Sequence, residues 1–324
     1  MILLLTNAND STAPLVEKEL SALGAGFFRF NTEDYGTSVS LSSRIGVTGD
    51  VSHLEAGSIR ILGQEVRSIW NRRPASPVCA MPGGASEAKI FAEEELHSAL
   101  HGWLRSLDAR WMSHPDSIRS AGYKLPQLRL ARELGFRIPE TLVSNNPSEI
   151  RDFDSFLRGK GGKLAAKLIS KGPPKAAHPD EQYVVFTQIL SESDLQNDAT
   201  LGLCPAMYQE YVEKAFELRV TVAGNEIFAC EIHSQQSETT HIDWRRYDLP
   251  NTPHLVHDAS PELVRRCLEI TRHFRLEFAA IDLIVTPEGE TVFLELNPNG
   301  QWGWIEELTG MPIANAIARH LTRP

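Results

Sequence analysis

The sequence is poor in the features that announce several protein classes. Only four cysteines occur, Cys79, Cys204, Cys230 and Cys267, scattered with no C-x-x-C spacing. That excludes a disulfide scaffold and a paired-cysteine zinc site, and it predicts reduced, buried thiols. No apolar run approaches the length needed to cross a bilayer. The opening Met1-Ile2-Leu3-Leu4-Leu5 lacks a basic flank and stops at Thr6. It is too short for a signal peptide or a membrane span, so a cytoplasmic protein with no membrane partner is expected. Positive charge is in deficit: Lys+Arg 32 against Asp+Glu 42 gives a formal charge of -10. Such a surface is not built to coat nucleic acid, although a local basic pocket for phosphate is compatible with it. Neither G-x-G-x-x-G nor G-x-x-x-x-G-K-S/T is present. A dinucleotide fingerprint is disfavoured and a P-loop is excluded.

What is present is ordinary globular material. The 324 residues fit about two domains, and 42% hydrophobic with 23% charged residues excludes wholesale disorder. A buried strand at 2–5, an amphipathic segment after Pro14 and a second strand at 27–30 make a β-α-β opening, which predicts a Rossmann-like unit. A further strand over 64–70 ends in Trp70-Asn71-Arg72-Arg73-Pro74. A helix is predicted over about 87–107. His97 and His101 lie four apart on it, but acidic neighbours and the lack of a third ligand favour two helix-surface side chains over a metal site. A boundary falls near 115. Beyond it the pattern predicts a helix ending at Gly135, a helix after Pro147, and strands at 163–169 and 182–187. A Gly/Pro/Lys-rich loop joins these two strands. Three strand segments follow between 206 and 233, then a helix over 260–274, a hairpin over 278–297 and a last helix over 312–321.

The hairpin carries the strongest chemical signal. Residues 278–286 and 291–297 flank Pro287-Glu288-Gly289-Glu290. With Glu288-Gly289 as a two-residue loop, Asp282 pairs with Glu295 and Asn297 shares their face. A three-residue loop slips the register by one and sets Asp282 among apolar neighbours, so the polarity pattern favours the first. Directly opposed carboxylates repel. A hard cation held by Asp282, Glu295 and Asn297 relieves that, and Mg²⁺ is typically held by one or two carboxylates plus substrate phosphates. Solvated, unpaired acids are the alternative, and Ile284 and Phe293, expected on the same face, argue against it. Cations for the phosphates are at hand. Lys167 interrupts an apolar strand and needs a partner, while Lys124 taken alone reads as a surface lysine. Glu217 and Arg219 alternate on one strand face, where a structural ion pair is the alternative. Arg245, in Asp243-Trp244-Arg245, suits bidentate contact with carboxylate or phosphate.

Taken in order, these residues resemble the ATP-grasp superfamily. A lysine precedes a helix, and a second lysine sits on a strand. Gln209-Glu210-Tyr211-Val212 and Glu217-Leu218-Arg219 follow, and Asp282 with Glu295-x-Asn297-Pro298 closes the pattern. Within it the chain is most similar to the ligases that mature graspetides, including the microviridin ring-forming enzymes. Trp70-Asn71-Arg72-Arg73 is similar to their W-Y-R-R. Ser234-Gln235 with Asp243-Trp244-Arg245 is similar to their S-Q…D-W-R. Asn297-Pro298-Asn299-Gly300-Gln301-Trp302-Gly303-Trp304-Ile305-Glu306 is close to their N-P-x-G-Q-F-x-W-I-E.

The resemblance implies an α/β fold of the α+β ATP-grasp kind. A Rossmann-like unit (1–115) would precede a central subdomain with a flexible loop (116–188) and a C-terminal subdomain with the metal site (189–324). It implies that Lys124 and Lys167 hold the α/β phosphates of ATP. Glu210 and Val212 would meet adenine through backbone groups, with Gln209 and Tyr211 beside them, and Glu217 would take the ribose. Asp282, Glu295 and Asn297 would hold Mg²⁺, two ions sharing Glu295. Arg219 and Arg245 would steady the transferred phosphoryl group or the acceptor carboxylate. The implied substrate is a ribosomal precursor peptide of leader plus core. An Asp or Glu side chain of it becomes an acyl phosphate, then an ω-ester with Thr/Ser or an ω-amide with Lys. The G-Q-aromatic-x-W segment is closer to the lactone-forming branch. Segment 188–203 is a candidate leader surface, and a homodimer is implied. A ligase adding an amino acid to a small acid or a protein terminus is the alternative function with the same site.

Overall fold

The structure is a computed structural model that describes residues 1–81, 86–170, 185–246 and 248–323. The opening unit holds β1 (Ile2–Thr6), α1 (Ala13–Ala22), β2 (Phe27–Asn31), β3 (Val39–Gly46), β4 (Gly49–Ala56), β5 (Ile59–Leu62), β6 (Ser68–Asn71), α2 (Glu87–Ser106) and β7 (Arg110–Met112). Strands β2-β1-β6-β7 pair in parallel in that order. Every residue of β1 is buried, as expected of a parallel strand covered on both faces. Leu3 and Leu5 face Leu100, Trp103 and Leu104 of α2, and Ile2 and Leu4 face the side of α1. The antiparallel sheet β3-β4-β5 has no counterpart in the expectations above. Its strands are largely exposed, so its apolar pattern is weak, and only Val39, Leu54 and Ile61 reach the core. His97 and His101 lie against each other as tilted rings with centroids 4.2 Å apart. Among the described residues no three His, Cys, Asp or Glu side chains gather as a metal cage.

The central unit follows α3 (Pro115–Ala121) with α4 (Lys124–Glu133), β8 (Thr141–Ser144), α5 (Pro147–Gly159), β9 (Leu164–Lys167), β10 (Gln188–Ile189), α6 (Glu192–Leu195), α7 (Asp198–Leu201) and β11 (Ala206–Glu210). Its antiparallel sheet runs β10-β9-β11-β8. Leu164 and Tyr208 pack on Ile150 and Leu157 of α5. The register Met207↔Lys167 and Gln209↔Ala165 puts these four on the opposite face. The strand expected at 182–187 differs. Residues 185–187 are not strand, pairing is confined to 188–189, and 182–184 lie outside the described residues, as do Lys171 to Lys175 of the expected loop. In segment 188–203, Leu195 and Leu201 are buried against α5 and Asp198 pairs with Arg151 at 2.5 Å.

The last unit holds β12 (Phe216–Ala223), β13 (Glu226–Ile232), β14 (His254–Val256), α8 (Pro261–His273), β15 (Phe278–Val285), β16 (Thr291–Asn297), α9 (Gly303–Thr309) and α10 (Ile313–Thr322). The antiparallel order is β14-β13-β12-β15-β16. One face, with Leu218, Val220, Ile281, Leu283 and Leu296, packs on α4 and α8. Helices α9 and α10 then cross to the opening unit. Ile305, Ile313 and Ile317 share a core with Leu4, Val16 and Leu20. Cys230 and Cys267 are buried as expected, but Cys79 is half-buried and Cys204 is exposed on the loop leading into β11.

Candidate active site

Asp282 does stand opposite Glu295, but by a different route from the one expected. The turn is a three-residue loop closed by Thr286 N–H to the Glu290 carbonyl at 2.9 Å, with Gly289 at φ 84°. The register next to it is therefore slipped by one. A bulge between Asp282 and Leu283 takes up the extra residue and restores the Asp282↔Glu295 pair. The bulge also moves Phe293 to the other face, opposite Leu283 and beside Phe136, so it does not share the face of Asp282 as expected. Ile284 does, with Val292, Leu294 and Val212 as its apolar neighbours.

On this face Asn297 Nδ2 lies 3.0 Å from both Asp282 Oδ2 and Glu295 Oε1. Arg219 Nη1 donates to Asp282 at 2.6 Å, and Lys124 Nζ is bonded to Glu295. Burial pushes the Asp282 carboxyl up; Arg219 offsets part of that and the nearby Glu295 adds to it. Burial acts on Glu295 in the same sense, but Lys124 outweighs it and holds Glu295 low. Two adjacent acids thus divide their titration, one kept ionised and one resisting ionisation. A rotated Asn297 amide would turn its oxygen toward the two acids. Two carboxylates and an amide oxygen, without a full protein cage, are the donor set that suits Mg²⁺ completed by phosphate oxygens.

Lys124 owes its place to Gln127, which sequence reasoning missed. The buried Gln127 amide exchanges two hydrogen bonds with the backbone of Leu296, each 2.8 Å, and also donates to the Ala121 carbonyl. It pins α4 to β16 between Glu295 and Asn297. Lys124 is the first residue of α4, which lacks a side-chain N-cap. A cation there opposes the helix dipole, so its partner Glu295, or a phosphate, must hold it. A polar residue at the helical spacing of the apolar Leu130 and Ala131, where Arg129 falls off that face, was the available signal.

A cavity of about 500 Å³ spans the gap between the two C-terminal sheets. Lys124, Lys167, Gln209, Glu210, Tyr211, Val212, Glu217, Arg219, Arg245, Asp282, Glu295 and Asn297 all line it. Burial lowers the Lys167 ammonium to about 8, against a pull upward from Glu295. Glu210 turns its side chain to Arg137 at 3.1 Å, which leaves its backbone to the cavity. Glu217 is 5% exposed, bonded to Lys214 and to the Ser234 hydroxyl, and raised by burial. It does not pair with Arg219, which lies along the same strand. Arg245 Nε donates to Asp243 at 2.8 Å, and the same carboxylate accepts Thr187 N–H at 2.9 Å. Asp243 is held well below the usual carboxylate range, because Arg245 and these bonds outweigh the effect of its burial.

The Trp70-Asn71-Arg72-Arg73 segment gains a structural meaning. Arg72 is 1% exposed and donates to Thr12, to the Asn299 and Gly300 carbonyls and to Gln301 Oε1, with Asp10 at 3.6 Å. It stitches the end of β6 to the loop after Asn297. A Cβ at Gly300 would meet Ala280 Cβ at 2.5 Å and Arg219 Nη2 at 2.7 Å, so only glycine lets that loop lie against Arg219.

A sheet pair enclosing lysines, a carboxylate pair and an amide, with an α/β unit ahead of it, defines an ATP-grasp ligase, an ADP-forming enzyme that activates carboxylates. Residues 1–119 match the MvdD pre-ATP grasp domain. The chain is 31% identical to the macrocyclase MdnC from Microcystis aeruginosa MRC, solved with the precursor peptide MdnA, over 99% of both chains with a TM-score of 0.86. It is 30% identical to a RiPP-associated ATP-grasp ligase of Chryseobacterium gregarium, solved with ADP and a leader and core peptide, over 100% of this chain and 97% of that one, TM-score 0.90. The macrocyclase MdnB from Microcystis aeruginosa MRC is also 30% identical, over 100% and 99%, TM-score 0.81. No curated protein sequence matches. The chain belongs to the graspetide family of ATP-grasp peptide macrocyclases. No described helix is long and apolar enough to cross a membrane.

Proposed function

We propose that this chain closes rings in a ribosomal precursor peptide. It spends ATP to turn an Asp or Glu side chain into an acyl phosphate, which a Thr or Ser hydroxyl or a Lys amine of the same peptide then attacks. The observation that carries this is the convergence of Asp282, Glu295 and Asn297 with Lys124 and Lys167 on one cavity. Lys124 and Lys167 hold the α/β phosphates. The apolar wall of Val212, Ile284 and Leu294 meets adenine, the backbone of Glu210 to Val212 reads its edge, and Glu217 takes the ribose. Asp282, Glu295 and Asn297 would hold Mg²⁺, which when bound would supply positive charge beside the transferring phosphoryl group. Such transfer needs positioning and cations rather than a protein nucleophile. Arg219 and Arg245 supply the remaining positive charge at the reacting end.

The leader docks on the exposed side of segment 188–203, the protein works as a cytoplasmic homodimer, and the ester is the favoured linkage. The test is incubation with Mg²⁺, ATP and a short Thr/Asp/Glu-rich peptide encoded beside the gene. ADP and the loss of one water mass per ring are expected. ADP release with an unchanged peptide mass would move the function to the transfer of another acceptor.

A further inference from the structure

The cationic side chains that line the cavity divide into two groups. Lys124, Lys214, Arg219 and Arg245 are each paired with a carboxylate. Lys167 and Arg73 have no ion pair among the described residues. Lys167 is buried with Glu295 attracting it only through space, and Arg73, exposed at the cavity, is free to take an anion from outside. Two uncommitted cations match two incoming anions, the nucleotide phosphates and the acid to be activated. Lys167 lies on β9, on the face it shares with Gln209, at the nucleotide end. Arg73 comes from the opening unit instead. Its backbone is fixed by N–H to the Leu5 carbonyl at 3.3 Å and by Asn7 Nδ2 to its own carbonyl at 2.7 Å. The neighbouring Arg72 and Asn71 are bonded to Asn299 and Gly300, just past Asn297. Its backbone is therefore anchored beyond the metal-binding triad, away from the adenine wall, while its guanidinium is exposed.

We propose that Arg73 receives the substrate carboxylate and presents it to the γ-phosphate. This rests on the ligase function argued above. A guanidinium fork binds one carboxylate through two parallel N–H bonds and so fixes its plane. One carboxylate oxygen then forms a bond to the γ-phosphorus. The bond from that phosphorus to the β-phosphate oxygen breaks, and ADP leaves with the electron pair. No proton moves in this step. The arrangement explains why the opening unit is sewn to the Asn299–Gln301 loop: it brings a substrate-binding arginine to a site otherwise built by the two C-terminal sheets.

The experiment footprints arginines with phenylglyoxal and peptide mass mapping on the intact protein. The probe is the α-amide of N-acetylglutamic acid, with N-acetylglutamine amide as the uncharged control and Mg²⁺ with a non-hydrolysable ATP analogue present. Arg73 should be labelled in the nucleotide-bound protein, shielded by the acid and not by its amide. Shielding by nucleotide alone would make Arg73 a phosphate ligand, and equal labelling with acid and amide would remove it from substrate binding; either overturns the proposal. In parallel, Arg73→Ala should raise the KM for the acid about 10- to 100-fold, the value of a charged hydrogen-bonded contact, with the KM for ATP unmoved. Arg73→Lys should restore part of it. A raised KM for ATP with that for the acid unchanged also overturns it. ADP release driven by the acid without shielding of Arg73 removes Arg73 and leaves the ligase function standing. Shielding without ADP release has the opposite meaning.

Discussion

Replacing Gln127 by Met tests how the site is assembled. The two side chains are close in length and volume, so the loss is one of hydrogen bonds. Gln127 is 2% exposed and serves three backbone groups, the N–H and C=O of Leu296 and the C=O of Ala121. Three buried bonds at about 1 kcal/mol each put the expected loss near 3 kcal/mol. The same bonds hold the first turn of α4 against β16, so Lys124 should lose its register with Glu295. Misplacement of a reacting group by about 1 Å is worth roughly a hundredfold in rate. Urea denaturation followed by tryptophan fluorescence reads the first effect, and coupled ADP release at saturating peptide reads the second. A variant with wild-type stability would show that water replaces the amide. A variant destabilised as expected but with unchanged turnover would show that Lys124 is placed by something other than this clasp.

Glu295→Gln should abolish ADP formation while near-UV circular dichroism stays native; retained turnover would strip Glu295 of its metal role. Arg245→Ala should lower turnover far more than nucleotide affinity, measured by steady-state kinetics beside nucleotide titration, and a loss of affinity alone would reassign Arg245 to the phosphates. Gly300→Ala should overpack the loop against Ala280 and Arg219, costing about 1 to 3 kcal/mol in thermal or urea unfolding. His320 is buried, and burial lowers its imidazole to about 4. The unfolded chain therefore binds the extra proton between about 6.5 and about 4, so stability falls as pH drops through that window, by roughly 2 to 3 kcal/mol. His320→Leu should flatten that slope in urea midpoints measured across it, and equal slopes would refute the assignment.

In the two C-terminal units α4, α5, β9, β11 to β13, α8, the hairpin and α10 were legible because Gly135 and Pro147 punctuate the helices and apolar runs mark the strands, whereas the short β8, β14 and α9 were not anticipated. Periodicity put Glu217 with Arg219 on one strand face and, separately, Asp282 with Glu295 on one hairpin face; that the two pairs share a face comes from the pairing of β12 with β15, which the sequence pattern does not carry. The bulge was not legible either, because a two-residue turn and a three-residue turn with a bulge leave the same acids opposed. Phe293 and Val292, which change partner and face, distinguish them. The sheet of residues 39–62 stayed hidden because so little of it is buried. Gln127 and Arg72 stayed without a role for another reason. Each acts on backbone atoms far away in the chain, and side-chain patterning carries no trace of such partners. Arg73, beside Arg72 in the same motif, shows the limit most clearly, since the motif distinguishes neither of the two arginines by its environment.

The apolar surface that α1 and β1 offer on one side is completed by Trp302, Ile305, Ile313 and Ile317. During synthesis those partners leave the ribosome some three hundred residues after Leu4, counting along the numbering. Until then the opening strand waits with half its cover missing, a stretch in which a greasy patch is open to wrong partners. The nascent chain therefore cannot finish its first unit in the usual vectorial order, and both ends must settle together.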